Sequence, residues 1–558
     1  MPPIVRPRRP RWPTRVQEDG AVFSADPFDR ARIALLRDDL IRARYGVDAV
    51  RGLWGDEAAE ALHRGDRVPA RRALERSGDH DALATLARLF LLADPVSADD
   101  ADEAFGALAL EGAVELGLVR VEAGAVVTAA LDLRPYDVVD QRGAASWWIA
   151  SDLGELALGR ALDEDHVLGV GGASLTLTGL MIQRPVGRVL DLGTGCGIQA
   201  LHASRHAEQV VATDISERAL ALASFTAALN GIENIEFRLG SLYEPVAGER
   251  FDHIVTNPPF VITPRAEGVP SYEYRDGGLE GDEIVRRVIL GAAEHLVPGG
   301  VAQLLGNWEY REGADAFDRI ADWLADARSP LEQALEAGPE GLDAWMGGTA
   351  SPLDVWVVER ERQDPAVYAE TWIRDGGTTR GPAFDALVDA WLTDFERRGV
   401  TGVGFGYVTL RLPEQPRPPI RRLERITTPM ATAGLGGHLA ACLDAAQALA
   451  SIDDRALAGL ALVVAGDVTE ERHYWPGNDD PTVLRLRQGG GFARVEEVDT
   501  ALAAVVGACD GELSVAAIAA AVASLLQVEE EAVSDSVLPR VRELVATGLL
   551  RLPQGERG

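Results

Sequence analysis

The sequence predicts a doubly wound α/β sheet flanked by an N-terminal helical, winged-helix-like domain and a mostly helical C-terminal domain. Three observations predict it. Between residues 188 and 308, short apolar runs alternate with helix-like patterns, which implies a parallel sheet with helices on its faces. The turn after the first of these runs is crowded with glycine, as the ligand crevice of such a sheet requires. On either side the alternation gives way to apolar residues at three-to-four spacing. A chain of 558 residues with 47% hydrophobic content has room for three or four domains of ordinary size.

The elements follow in order. Residues 1–20, opening "MPPIVRPRRPRWPTR", are basic and proline-rich with no apolar core to a leader, and read as a disordered tail. Residues 21–140 read as the helical, winged-helix-like domain. "DPFDRARIALLRDDLIRARYG" and "DALATLARLFLLAD" are helices, and a short hairpin turns at Glu122-Ala123-Gly124. Residues 141–412 hold the sheet. "HVLGVGGASLTLTGLMI" is a Gly-rich turn into a helix capped by Ser174. "RVLDLGTG", "QVVATDI", "IEFRLGS", "FDHIVTNPPF" and "VAQLLGNW" are strands, and "SERALALASFTAALNG" is a capped helix closed by Gly231. "LDVWVVERER" and "GVGFGYVTLRL" complete the sheet around a long insertion, about 311–395. A proline cluster (Pro413, Pro416, Pro418, Pro419) marks a linker to the C-terminal helical or winged-helix-like domain, 413–558.

Composition excludes several functions. The formal net charge is −33, which disfavours broad phosphate tracking along nucleic acid. The sequence contains no lysine, so it carries neither a phosphate-loop lysine nor a Schiff-base lysine. Cys196, Cys442 and Cys509 are widely spaced and odd in number, which suits a reducing cytoplasm and gives neither a disulfide framework nor a zinc site. His202 and His206 read as surface or half-buried helix positions rather than metal ligands. No apolar run is long enough for a membrane span.

The chemistry concentrates in three motifs. "VLDLGTGCG" places Asp191 at a strand end, followed by Gly193, Gly195 and Gly197, whose spacing is not the G-x-G-x-x-G of dinucleotide folds. Asp214 ends the next strand, 21 residues after Gly193, where a carboxylate can accept the hydroxyls of an unphosphorylated ribose. Ser216 reads as the cap of the following helix, which leaves Asp214 free for that role. Asn257-Pro258-Pro259-Phe260 ends another strand. Two prolines stiffen this turn, so the Asn257 side-chain oxygen and the Pro258 carbonyl can hold the two protons of a planar NH2 group in a near-attack geometry. Phe260 can stack on that group, worth roughly 1–3 kcal/mol for a base.

This set resembles the class I S-adenosylmethionine-dependent methyltransferases, which are Rossmann-like. With "GSLYEPV" and "YRDGGLEGDEIVRRVILGAAEHLVPGG", it resembles in particular the HemK/PrmC group of protein-glutamine N-methyltransferases, over roughly residues 165–310. The resemblance implies S-adenosylmethionine as cofactor, bound by the Asp191–Gly197 loop including Gly193, Thr194 and Gly195, by Asp214 with Ile215, by Ser241 and Leu242 beside Gly240, and also by Asn257. It assigns amide capture to Asn257 and Pro258, with Pro259 and Phe260 completing the catalytic turn. Ser241 stands where the group often has Asp, and Phe260 where its glutamine enzymes commonly have Tyr. The flanks do not look like that group's release-factor-binding domain. The expected function is therefore cytoplasmic N-methylation of a macromolecule, foremost a protein glutamine side chain, with no metal and no membrane. The alternatives are an exocyclic amine of rRNA or tRNA (guanine-N2 or adenine-N6) and a non-catalytic cofactor-sensing regulator. Trp147-Trp148 and the 311–395 insertion are candidates for shaping the acceptor channel.

Overall fold

The computed structural model describes residues 22–23, 27–78, 81–158, 162–163, 165–266, 268–270, 273–326, 353–415, 417, 419–430 and 432–553. The basic segment 1–20, part of the proline linker and the centre of the insertion lie outside them. The chain divides into two compact units. One comprises Met1–Leu177, Pro185–Arg328 and Glu361–Leu412; the other comprises Thr178–Arg184, Ser329–Arg360 and Pro413–Gly558.

The first unit is built on the α/β sheet. Val186–Leu192 pairs in parallel with Ala207–Asp214 on one side and Phe251–Thr256 on the other. Ile235–Leu239 extends the first side in parallel, and Leu296–Arg311 extends the second. Val400–Arg411 then lies antiparallel to Leu296–Arg311. The strand order reverses at Val186–Leu192, so the crevice opens at its carboxyl end, between the glycine loop and the end of Phe251–Thr256. These strands are nearly continuous apolar runs because both faces are covered.

The N-terminal helices share a core with this layer. Leu36, Leu40, Phe90, Phe105 and Trp147 belong to one buried cluster with Ile198, Leu201, Leu222 and Phe225. Within it, helix Ala82–Phe90, strand Val96–Ser97, helices Ala98–Phe105 and Ala109–Glu115, and strands Val119–Glu122 and Val126–Ala129 follow the order of a winged helix, the wing turning at Gly124 with φ +83°. A long hairpin comes next, Asp132–Asp140 against Gly143–Ser151, paired from Asp132↔Ser151 to Asp140↔Gly143. The sequence reading misses this hairpin, and its boundary at 140/141 falls in the hairpin's turn. The turn's Asp140-Gln141-Arg142-Gly143 is the overlooked signal: Asp140 accepts the Arg142 amide at 2.8 Å and Gly143 takes φ +97°.

Other expectations also change. Ser174 does not cap its helix, which begins at Gly172; its carbonyl accepts from the Gln199 amide at 2.9 Å. Ser216 does cap Glu217–Leu229, accepting from the Ala219 N–H. His202 and His206 are buried, not superficial, and burial pushes both imidazoles down to about 4, which keeps them neutral. Trp147 and Trp148, candidates for shaping the acceptor channel, make internal contacts and do not line the described cavity. Trp147 stacks on Tyr136 at 6.1 Å, and Trp148 Nε1 donates to the Tyr45 carbonyl at 2.6 Å.

The second unit holds more strand than the sequence suggests. The strand expected from "LDVWVVERER" forms as Asp354–Gln363; the unexpected strands are Arg421–Arg425, which pairs with it in parallel, and the antiparallel meander Val468–His473, Val483–Gln488 and Val495–Val498. Helices Thr500–Gly507, Val515–Leu526 and Glu530–Ala546 pack around Val505, Ile518, Val541 and Leu544. Leu550–Arg551 pairs with Val463–Val464, and Val463 also bridges Asp510. No described helix is long and apolar enough to cross a membrane.

Candidate active site

A cavity of about 450 Å3 opens at the carboxyl ends of the central strands, within the roughly 300–1,000 Å3 typical of small-molecule sites. Its floor is the loop after Val186–Leu192. The N–H groups of Gly193 and Thr194 both donate to the Thr213 carbonyl at 2.9 Å, which locks the loop to the neighbouring strand. Gly193 and Gly195 have φ of +77° and +56°, and a Cβ at either would meet nothing within 4 Å. Their missing side chains are what keep the backbone open to a ligand.

Asp214 organises the same floor. One carboxylate oxygen accepts the Gly195 N–H and the other accepts the Ser216 N–H, each at 2.9 Å. Each oxygen keeps a lone pair for a further donor, so the carboxylate is oriented before any ribose hydroxyl arrives. Ile215, half exposed, Ser241, and Leu242 in the left-handed region at φ +47° line the adjoining wall. An exposed isoleucine and a strained leucine at one cavity suit a flat apolar group.

Asp191 and Gly197 do not line the cavity, contrary to expectation. Asp191 lies wholly buried behind the loop, its Oδ2 accepting from the Thr194 hydroxyl at 2.6 Å while Oδ1 has no hydrogen-bond partner. Burial pushes its carboxyl up to about 7, against the opposing Thr194 hydrogen bond. Gly197 begins helix Ile198–Ser204 with φ +89°, and a Cβ there would sit 3.1 Å from that of Ala223. Its role is close helix packing.

The opposite side is the Asn257 turn. The Thr256 hydroxyl donates to the Leu192 carbonyl at 2.7 Å, tying the ends of the two central strands together. Asn257, Pro258, Pro259 and Phe260 all line the cavity, and the Asn257 Oδ1 is buried without a hydrogen-bond partner. An acceptor in that state costs free energy comparable to a lost hydrogen bond unless a ligand supplies the donor. Phe260 is buried against Phe405, ring centroids 5.6 Å apart, so it forms a braced wall of the cavity.

Several lining residues receive no site role in the sequence reading. Segment 165–174 forms one wall; Asp152 anchors it by accepting the Val167 N–H at 3.0 Å. Burial alone would raise the Asp152 carboxyl, but the Arg218 guanidinium outweighs it and holds it below the usual range. Tyr274 and Arg275 stand beyond the Asn257 turn, and Trp372 and Asp375 reach the cavity from the insertion. No periodicity or spacing links those last two to Asn257, 115 or more residues away.

Residues 170–312, which contain the glycine loop, Asp214 and the Asn257 turn, match the methyltransferase small domain. Curated relatives match the same region. The ribosomal protein uL3 glutamine methyltransferase of Bradyrhizobium diazoefficiens is 37% identical over 155 residues, covering 26% of this chain and 46% of the relative. The release factor glutamine methyltransferase of Xylella fastidiosa (strain Temecula1) is 39% identical over 130 residues, 22% of this chain and 47% of the relative. This chain carries a methyltransferase small domain that is similar to the glutamine methyltransferases of the HemK/PrmC group. The ribosomal RNA small subunit methyltransferase C of Alcanivorax borkumensis is also similar, 33% identical over 150 residues, 27% of this chain and 39% of the relative. The chain spans about half or less of the length of these relatives. The flanks of the methyltransferase domain match two domains of unknown function, DUF7059 over 42–130 and DUF7782 over 440–552.

The cofactor of this methyltransferase domain is S-adenosylmethionine, and the residues present fit it. The open glycine floor and the oriented Asp214 carboxylate suit its amino-acid and ribose ends, and Ile215 and Leu242 suit its adenine. Among the described residues no group of His, Cys, Asp and Glu is placed to hold a metal ion.

Proposed function

We propose that this protein is a cytoplasmic S-adenosylmethionine-dependent N-methyltransferase acting on a planar amide nitrogen, a glutamine side chain of a protein. The observation that carries this reading is the Asn257 Oδ1, a buried acceptor with no partner at the cavity wall. A side-chain NH2 group satisfies it directly. With the Pro258 carbonyl taking the second proton, the nitrogen is held with its lone pair turned out of conjugation. The cofactor supplies an electrophilic methyl group on a cationic sulfur. What the chain supplies is position: the prolines fix the turn, and the Thr256–Leu192 bond fixes its distance from the glycine floor. Methylation would leave the positive charge on the nitrogen, relieved when one of its two protons, held by the Asn257 Oδ1 and the Pro258 carbonyl, passes on to solvent; the site therefore supplies an ordered nitrogen rather than a strong base.

The choice of protein over nucleic acid follows from charge. Arg275, the arginine at the cavity, is 5% exposed and donates to the Trp372 carbonyl at 2.9 Å. Nearby Arg265 donates to the Asp276 carboxylate at 2.7 Å and to backbone carbonyls. These cations serve internal contacts, and the chain's net charge of −33 repels a polyanion. The similarity to an enzyme named for ribosomal RNA keeps an exocyclic amine as the second reading.

The test is methyl transfer from radiolabelled S-adenosylmethionine into a cell extract, with Asn257→Ala as control, followed by protease or ribonuclease treatment. Asn257-dependent label released by protease supports the reading. Label released by ribonuclease replaces it with the RNA reading. Tight cofactor binding without Asn257-dependent label points to a regulator.

A further inference from the structure

The insertion contributes helix Pro365–Asp375, started by proline in its first turn and capped by Asp364, which accepts the Ala366 N–H at 2.8 Å. Hydrogen bonds fasten this helix to the turn that carries Asn257. The buried Tyr368 hydroxyl accepts the Ile262 N–H at 3.0 Å and bonds the Asn307 side-chain amide at 2.6 Å. The Val261 N–H donates to the Arg275 carbonyl at 2.8 Å, and the Arg275 guanidinium donates in turn to the Trp372 carbonyl at 2.9 Å. The network that fixes Asn257-Pro258-Pro259-Phe260 therefore also places Trp372 and Asp375, three residues further along the helix, on the Asn257 side of the cavity.

These two side chains have a definite chemistry. Asp375 is exposed at the cavity; partial burial raises its carboxyl, and the charge of nearby Arg275 opposes that rise. The nearby cation, Arg275, is buried and committed to a backbone carbonyl. The cavity wall thus presents an available carboxylate beside a half-buried indole, a pairing that suits a cationic side chain: the ring face takes the stem or the cation, and the carboxylate takes the charge. A phosphate in the same place would meet like charge.

Resting on the proposed amide methylation at Asn257, we propose that helix Pro365–Asp375 is the acceptor-reading wall of the cavity, and that Trp372 and Asp375 select a polypeptide with an arginine or lysine side chain beside the target glutamine. The experiment uses the full-length protein with radiolabelled S-adenosylmethionine and cell extract, followed by peptide mapping. The expected result is a labelled glutamine with a basic residue within about three positions, and an initial rate about threefold to tenfold lower for Asp375→Asn and at least about thirtyfold lower for Asp375→Arg. Asp375→Glu restores most of the rate, and cofactor affinity stays constant across the series. Asp375→Asn carries the comparison where the arginine variant loses cofactor binding. Asn257-dependent label that keeps its rate in both variants, or that maps to glutamines without basic neighbours, overturns the assignment and leaves the amide reading standing. Label that persists in Asn257→Ala, is absent from wild type or is recovered in RNA overturns the amide reading, and the acceptor class falls with it.

Discussion

The two halves of the cavity are held in place by different means. The cofactor floor is local: Gly193, Thr194, Gly195 and Asp214 lie within 22 residues, and the loop is fixed by hydrogen bonds to the adjacent strand. The acceptor side is long-range. The Asn257 turn is stiffened by its own prolines, but its aim depends on Tyr368, 106 residues beyond Ile262, and on Arg275 bonded to Trp372 across 97 residues. The floor serves one invariant ligand and can be built from a short motif. The opposite wall has to suit a particular acceptor, and an insertion in the sheet supplies it without disturbing the floor.

That contrast can be broken, most strongly at Asn257. Asn257→Ala should lower turnover by about a hundred- to a thousandfold, comparable to losing a transition-state hydrogen-bond partner, and change cofactor affinity less than about twofold. Loss of cofactor binding instead would place Asn257 on the floor. The mirror experiment is Asp214→Ala, which removes the acceptor for the Gly195 and Ser216 amides. Its effect should fall on cofactor affinity, weakened about thirty- to a hundredfold from the loss of buried charge-assisted hydrogen bonds, with turnover at saturation largely kept. Calorimetric titration with the cofactor, beside saturation kinetics, separates the two.

Tyr368→Phe sharpens the comparison, because Tyr368 touches neither half of the reaction directly. It leaves the Ile262 N–H and the Asn307 amide without their partner, a cost of about 1–3 kcal/mol. The expected result is turnover lower by about tenfold, with cofactor affinity unchanged; the split between the two is the readout, since simple destabilisation would move both. A turnover within twofold of wild type would show that the prolines alone aim Asn257.

The smallest effect is a pH dependence on the floor. Burial raises the Asp191 carboxyl to about 7 in the folded protein, above its unfolded value. The stability this group contributes is therefore fully present below about pH 4 and lost as pH rises through about 7. Between about pH 6 and pH 8 the loss is about 1 kcal/mol. In thermal melts, Asp191→Asn should lack this component, so wild type should lose stability relative to the variant as pH rises. Parallel profiles would show that the native carboxyl is not raised.

The sequence by itself determined the sheet, the cofactor floor and the Asn257 turn. Each is encoded in contiguous residues whose backbone needs are local: glycines that adopt positive φ, a serine that caps its own helix, two prolines that fix a turn. It also showed the Asp191 loop, but not that Asp191 and Gly197 sit behind the floor, because burial depends on what packs against the strand from elsewhere. The hairpin 132–151 was written in Asp140-Gln141-Arg142-Gly143, yet its strands alternate too weakly to stand out beside the helices before them. Tertiary structure alone decided that the N-terminal helices share a core with the sheet, since the same apolar stripe would serve a separate domain equally well. It alone brought Tyr274, Trp372 and Asp375 to Asn257. A site assembled across more than a hundred residues leaves no periodic trace in the chain, because nothing local constrains the residues that meet there.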